Sequence, residues 1–185
     1  MTTKEHPCLK CKEHCCIGPI GTFLTLEDAK RISDFTKKKM SDFCFYGNIA
    51  SDKKEQEFLM LTKDHSYFEI SNTGKILQLR AKKNGECIFL DKLKCKVYDS
   101  RPLVCRIFPV GYKKNGKLCF FEEDEYCSLM DKKCHKQTAK NIGLSVNEVK
   151  RLVKQHVHEI ENYRKYEKYF IEGLSSEEVY KKINS

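Results

Sequence analysis

No stretch of this 185-residue chain approaches the roughly 18 uninterrupted apolar residues of a membrane span. The first residues, MTTKEHPC, are polar and charged and lack the apolar run of a secretory signal. Tryptophan is absent, although eleven Phe and nine Tyr supply the aromatic mass for a modest core. There is no internal repeat, no low-complexity linker and no Gly-rich strand-to-helix fingerprint for a dinucleotide or adenosylmethionine. HExxH and GxSxG are missing too. These absences leave a cytoplasmic globular protein as the expected setting and remove several common enzyme signatures.

The net charge is +9, but it is spread, with +3 on residues 135–185 and +6 on the longer first part. A nucleic-acid binder gathers its charge into a stripe or reading helix. Here only short knots such as KKK at 37–39 stand out, so a nucleic acid is not an expected partner.

Cysteine is what the chain has in plenty. There are eleven, an odd number that a fully paired disulfide framework cannot use up. In the expected reducing compartment, clustered cysteines point to metal. All eleven lie between Cys8 and Cys134, and four of them crowd into CLKCKEHCC at 8–16. Cys8 and Cys11 have the x2 spacing that lets a tight turn bring two sulfurs to one soft ion, and Cys15 follows closely enough to share it. Cys16 is harder to place. Adjacent side chains diverge by about 180° in a strand or 100° in a helix, so CC is expected to serve two neighbouring centres or two irons of one cluster.

Partners must then come from downstream. Cys87 and Cys95 straddle IFLDKLK, Cys105 sits in SRPLVCRIFP between Pro102 and Pro109, and Cys127 lies in EDEYCS. Cys8, Cys11, Cys15, Cys16, Cys87, Cys95, Cys105 and Cys127 make eight, enough for two four-sulfur centres or one multi-iron cluster. Cys44 and Cys119 read as small buried hydrophobes, and Cys134 beside His135 is undecided. Arg101 and Arg106, each beside a Pro or Cys, are candidates to offset thiolate charge. All-sulfur shells suit zinc and iron–sulfur alike. A single CxxC followed by scattered cysteines leans toward iron–sulfur.

CLKCKEHCC, GECIFLD and CKVYDSRPLVCRIFP, in that order, resemble the YkgJ-type cysteine-cluster family, described as a zinc- or iron-chelating domain. The resemblance covers roughly residues 8–128, and LTLEDAKRI is similar to the family's acidic helix after the first cluster. It implies that the same eight cysteines are the family cysteines and that the metal ion is the main partner. The chain departs from many relatives at Glu13-His14, where they carry Gly, and at Ser128-Leu129, where they carry Pro-Gly. The same kind of cluster occurs in flagellin lysine methylases. An enzyme using the cluster, methyltransferase-like or redox, therefore stays open, as does a catalytic Cys105 beside Arg106.

The expected fold class is α+β: a small antiparallel sheet and short helices organised around a cysteine metal cluster, with a C-terminal amphipathic helical tail. Thr25 and Asp28 offer a helix cap for TLEDAKRISDFTKK, and MSDFCFYGN reads as a second short helix ending at Gly47. SYFEI, KILQLR, ECIFL and CKVY read as strands between turn signals, and VGYKK and KLCFFE flank the hairpin dipeptide Asn115-Gly116. Ser145 and Glu148 form a capping box opening a long helix, whose stripe runs Val149, Leu152, Val153, His156, Val157, Ile160, Tyr163. Its basic face, interrupted by Glu159, Glu161 and Glu167, reads as solvated. The expected division is 1–134 as the metal-binding domain and 135–185 as a helical extension packed on it. A protein partner through that helix stays open.

Overall fold

The computed structural model describes residues 15–17, 22–48, 71, 75–113, 115–119, 127–131 and 134–185. Among them are five α-helices and three two-stranded antiparallel sheets, an α+β architecture with a long helix near its C-terminus. None of these helices is long and apolar enough to cross a membrane.

Helix α1 spans Leu26–Thr36. Thr25 starts it: its side chain accepts from the Asp28 amide while the Asp28 carboxylate accepts from the Thr25 amide, so two otherwise orphaned donors are satisfied together. Strand β1 (Cys44–Asn48) pairs antiparallel with β2 (Lys75–Leu79), Cys44 opposite Leu79 and Asn48 opposite Lys75. The MSDFCFYGN segment is therefore not a helix. A 3-10 turn at Met40–Asp42 gives way to a strand, because Phe45 and Tyr46 pair across to β2 while Cys44 turns into the core. On the far edge of β2, Leu24 donates to the Leu77 carbonyl at 2.9 Å and Leu79 to the Thr22 carbonyl at 2.9 Å. The segment arriving from the first cysteine group is thereby stitched to the sheet.

Among the described residues the expected small antiparallel sheet is made of separate two-stranded pieces. SYFEI lies outside the described residues, and of ECIFL only Leu90 enters a strand. Strands β3 (Leu90–Asp91) and β4 (Lys94–Cys95) form a hairpin whose two turn residues, Lys92 (φ 46°) and Leu93 (φ 65°), are both left-handed. That conformation matches the twist of a two-residue hairpin but is costly for side chains with a Cβ. Helix α2 (Leu103–Ile107) follows, then strands β5 (Gly111–Tyr112) and β6 (Leu118–Cys119), joined through Asn115-Gly116 with Gly116 at φ 77°.

Helices α3 (His135–Asn141), α4 (Val146–Ile171) and α5 (Ser176–Asn184) complete the chain. Capping boxes at Ser145–Glu148 and Ser175–Glu178 open the last two, and Gly173, at φ 89°, separates them. Helix α4 runs through both hydrophobic clusters. Its first half sets Val149, Leu152 and Val153 against Leu103, Ile107, Val110 and Tyr112. Its second half sets Ile160, Tyr163 and Phe170 among Phe23, Ile32, Leu77 and Phe89. Between them His156 is fully buried and hydrogen-bonded through Nδ1 to the Tyr112 hydroxyl. Glu159 and Glu167 are also buried, so the reading that placed them on a solvated face is corrected. Glu159 occurs one turn from His156, on the apolar stripe rather than opposite it.

A candidate metal centre lined by cysteines

Three distant segments meet beside α2. The Cys15–Ile17 turn pairs with Glu86–Cys87: Ile17 bridges Glu86, and the Cys87 amide donates to the Cys16 carbonyl at 2.7 Å. Cys87 and Cys95 are held by the β3–β4 hairpin and the bridge from Ala81 to Cys87. Cys105 stands in the middle of α2, which a 3-10 turn at Tyr98–Ser100 and the sequence Arg101-Pro102 introduce.

These segments enclose a cavity of about 90 Å³. Cys15, Cys16, Cys87, Cys95, Cys105 and Cys127 all line it. Cys8 and Cys11 lie outside the described residues. Cys15 and Cys16 both line this one cavity. They occupy a turn, where the strand and helix geometries that separate neighbouring side chains do not apply. As they lie, no three metal-ligating side chains among the described residues form a finished coordination shell. The cavity gathers thiols without closing them onto one point.

Cys44 and Cys119 are not on the cavity. Cys44 is buried on β1 with its thiol against the Met40 carbonyl at 3.1 Å and the Ser176 hydroxyl at 3.9 Å. Cys119 is half-buried on β6, and Cys134 is exposed at the N-cap of α3.

Four of the cavity thiols, Cys16, Cys87, Cys95 and Cys105, are pushed toward their protonated form. The Cys15 side chain, and then burial, push Cys16 far above the ordinary thiol range. Burial raises Cys87, lifts Cys95 to about 11 and raises Cys105 strongly, and Cys16 adds to the effect on each. Arg101 pulls Cys16, Cys95 and Cys105 the other way. Its guanidinium stacks 3.6 Å from the Tyr98 ring centroid, and its Nε donates to the Tyr98 carbonyl at 3.0 Å. Arg106 also lines the cavity; burial and the nearby Arg101, Arg31 and Arg151 lower its pKa, the mark of a crowded positive cluster. A set of soft sulfur donors with fixed cations behind them fits a thiolate-bound metal, whose net negative charge needs such neighbours.

Behind α2 lies a network that the sequence reading missed. Asp28 is fully buried; its Oδ1 accepts from the Leu103 amide at 2.9 Å, and it is paired with Arg31. Arg31 Nη1 reaches Glu159 Oε1 at 2.9 Å, and Glu159 also accepts from the Thr25 hydroxyl at 2.6 Å and the Gln155 amide at 2.8 Å. Glu159 within the apolar stripe of α4 was the visible signal. The second duty of Asp28, beyond its cap, left none.

No solved structure matches this chain. An uncharacterized protein of Methanocaldococcus jannaschii is 32% identical over 114 residues, which cover 60% of this chain and 48% of that protein. The chain thus matches about half the length of that relative. The family model "CxxCxxCC: Putative zinc- or iron-chelating domain" matches residues 7–135, which include every cysteine that lines the cavity. The chain belongs to that family of metal-chelating cysteine-cluster domains.

Proposed function

We propose that the protein binds its metal as a single all-thiolate centre in this cavity, with Cys8, Cys11, Cys15, Cys16, Cys87, Cys95, Cys105 and Cys127 as the ligand set. The observation that carries the reading is convergence: six of these thiols, from segments separated by up to 112 positions between Cys15 and Cys127, line one cavity, and the remaining described cysteines do not. One shared cavity favours a multinuclear centre over two separate sites. The lone CxxC and the dispersed later cysteines favour iron–sulfur over zinc.

The cavity size supports a metal module rather than an organic-substrate enzyme. At about 90 Å³ it falls below the roughly 300–1,000 Å³ of ordinary small-molecule sites. When bound, the metal supplies either a structural crosslink or an electron-transfer centre. The chain's own part is to bring the thiols together, give up their protons and set Arg101 and Arg106 against the resulting charge.

Anaerobic purification followed by metal and sulfide analysis and an absorption spectrum tests this. Stoichiometric iron and sulfide with sulfur-to-iron bands are expected. A colourless protein with stoichiometric zinc would replace the iron–sulfur reading with zinc, and a protein holding neither metal would overturn the proposal.

A further inference from the structure

Helix α2 carries Cys105 and Arg106 yet has only five residues, too few to be stable by itself. Its position must come from contacts. Leu103 and Ile107, fully buried one turn apart, decide which face turns inward. They leave open how far the helix slides along its axis and how it tilts. Its first amide, Leu103 N–H, is fixed by the Asp28 carboxylate at 2.9 Å, from a residue 75 positions earlier. Asp28 has no freedom to follow a drifting helix. Its other oxygen is held by the Thr25 amide at 3.2 Å, and Arg31 ties it to Glu159 on α4.

We infer that Asp28 is a positioning residue of the metal centre: the place of its Oδ1 atom sets where α2 presents Cys105 to the other thiols. This rests on the metal-centre reading and adds to it a residue outside the cysteine motif. Two substitutions separate position from charge. Asp28→Asn keeps an acceptor oxygen for the Leu103 amide, but loses the charge that Arg31 needs and gives up the Thr25 amide contact, since its NH2 cannot accept. Asp28→Glu keeps the charge and moves the acceptor along by one methylene.

The full chain is purified anaerobically, stripped of metal and titrated with cobalt(II), a visible probe of thiolate ligation. Affinity is read by chelator competition, geometry by the visible spectrum, and stability by melting of the metal-free form. D28N is expected to melt at lower temperature but keep the wild-type cobalt affinity and spectrum. D28E is expected to lose about 10–100-fold in affinity, the usual cost of disturbing groups that orient metal ligands, with a changed spectrum. Glu159→Gln, which weakens the ion pairs but leaves the Asp28–Leu103 contact, should behave like D28N. Wild-type affinity and spectrum in D28E would overturn the inference. So would affinities in D28N and E159Q that fall in step with their melting temperatures, since that pattern marks a merely structural network. A wild-type chain with no sulfur-to-cobalt band would instead overturn the metal-centre reading, and the positioning role with it.

Discussion

Cys105 and Cys44 are both shielded thiols, yet they stand in different places for different reasons. Cys105 lines the cavity together with five other cysteines, whereas the Cys44 thiol on β1 meets a carbonyl and a serine hydroxyl. Burial, with a smaller push from Glu177, raises Cys44 to about 12 against the Ser176 hydrogen bond and Arg80, and leaves it an inert, hydrophobe-like side chain. Cys44→Ala and Cys119→Ser should therefore leave metal content unchanged, while Cys105→Ser should lose it. Loss of an equivalent in either of the first two would show that the ligand set is wrong. The upward shifts of Cys16, Cys87, Cys95 and Cys105 give a second expectation. Each thiol proton displaced on binding adds about one decade of apparent affinity per pH unit below its pKa, so metal affinity should climb steeply from pH 6 to 8. Competition titrations against a chelator measure it, and a flat profile would contradict the protonated-thiol picture. His156 offers a third expectation. Burial lowers its pKa from 6.5 to about 4, so the folded chain holds it neutral where the unfolded chain takes a proton. Its share of stability is complete above pH 6.5 and is lost as pH falls toward 4, by up to about 3 kcal/mol. Burial of Asp28, raised to about 6, and Glu27, raised to about 7, works in the opposite direction. The ring should therefore be followed directly: by NMR its signals should stay fixed from pH 8 to 5.5, and a midpoint near 6.5 would contradict the account.

Elements were legible wherever their signal was local. The capping boxes at Thr25–Asp28 and Ser145–Glu148, the stripe of α4 and the Asn115-Gly116 hairpin all stand where spacing placed them. What failed was decided by distant partners. Met40 to Asn48 has apolar residues that suit a helix, but β2 is there to pair with them, and cross-strand pairing overrides a weak local preference. Asp28 shows the same limit from the other side. Its cap is a three-residue pattern, but its contact with Leu103 spans 75 positions and leaves no periodic trace. Tyr163 is a further case, buried in the stripe as expected, with a hydroxyl that also accepts from the β2 amide of Leu77 at 2.9 Å. Tyr163→Phe removes that acceptor and strands a buried amide. Thermal or denaturant unfolding should show a loss of about 1–3 kcal/mol, and a change near zero would mean that the amide finds another partner.

On the scale of the whole molecule, α4 is the piece that makes two clusters into one body. It contributes Val149, Leu152 and Val153 to the cluster under α2 and Ile160, Tyr163 and Phe170 to the cluster under the β1–β2 sheet. Through Glu159 it also closes the ion-paired chain from α1 to the helix that bears Cys105. A chain truncated after His135 would therefore expose both apolar faces at once. It is expected to bind hydrophobic dye and aggregate, whereas a soluble monomer melting like the full chain would make residues 135–185 an independent element. The central claim, however, is chemical: one cavity, sulfur ligands, one metal centre. X-ray absorption at the metal edge of the anaerobically purified protein reads it most directly. The account predicts a first shell of sulfur alone, at about 2.3 Å if the metal is zinc, with a short metal–metal distance for a multinuclear centre. A shell dominated by nitrogen or oxygen would contradict it.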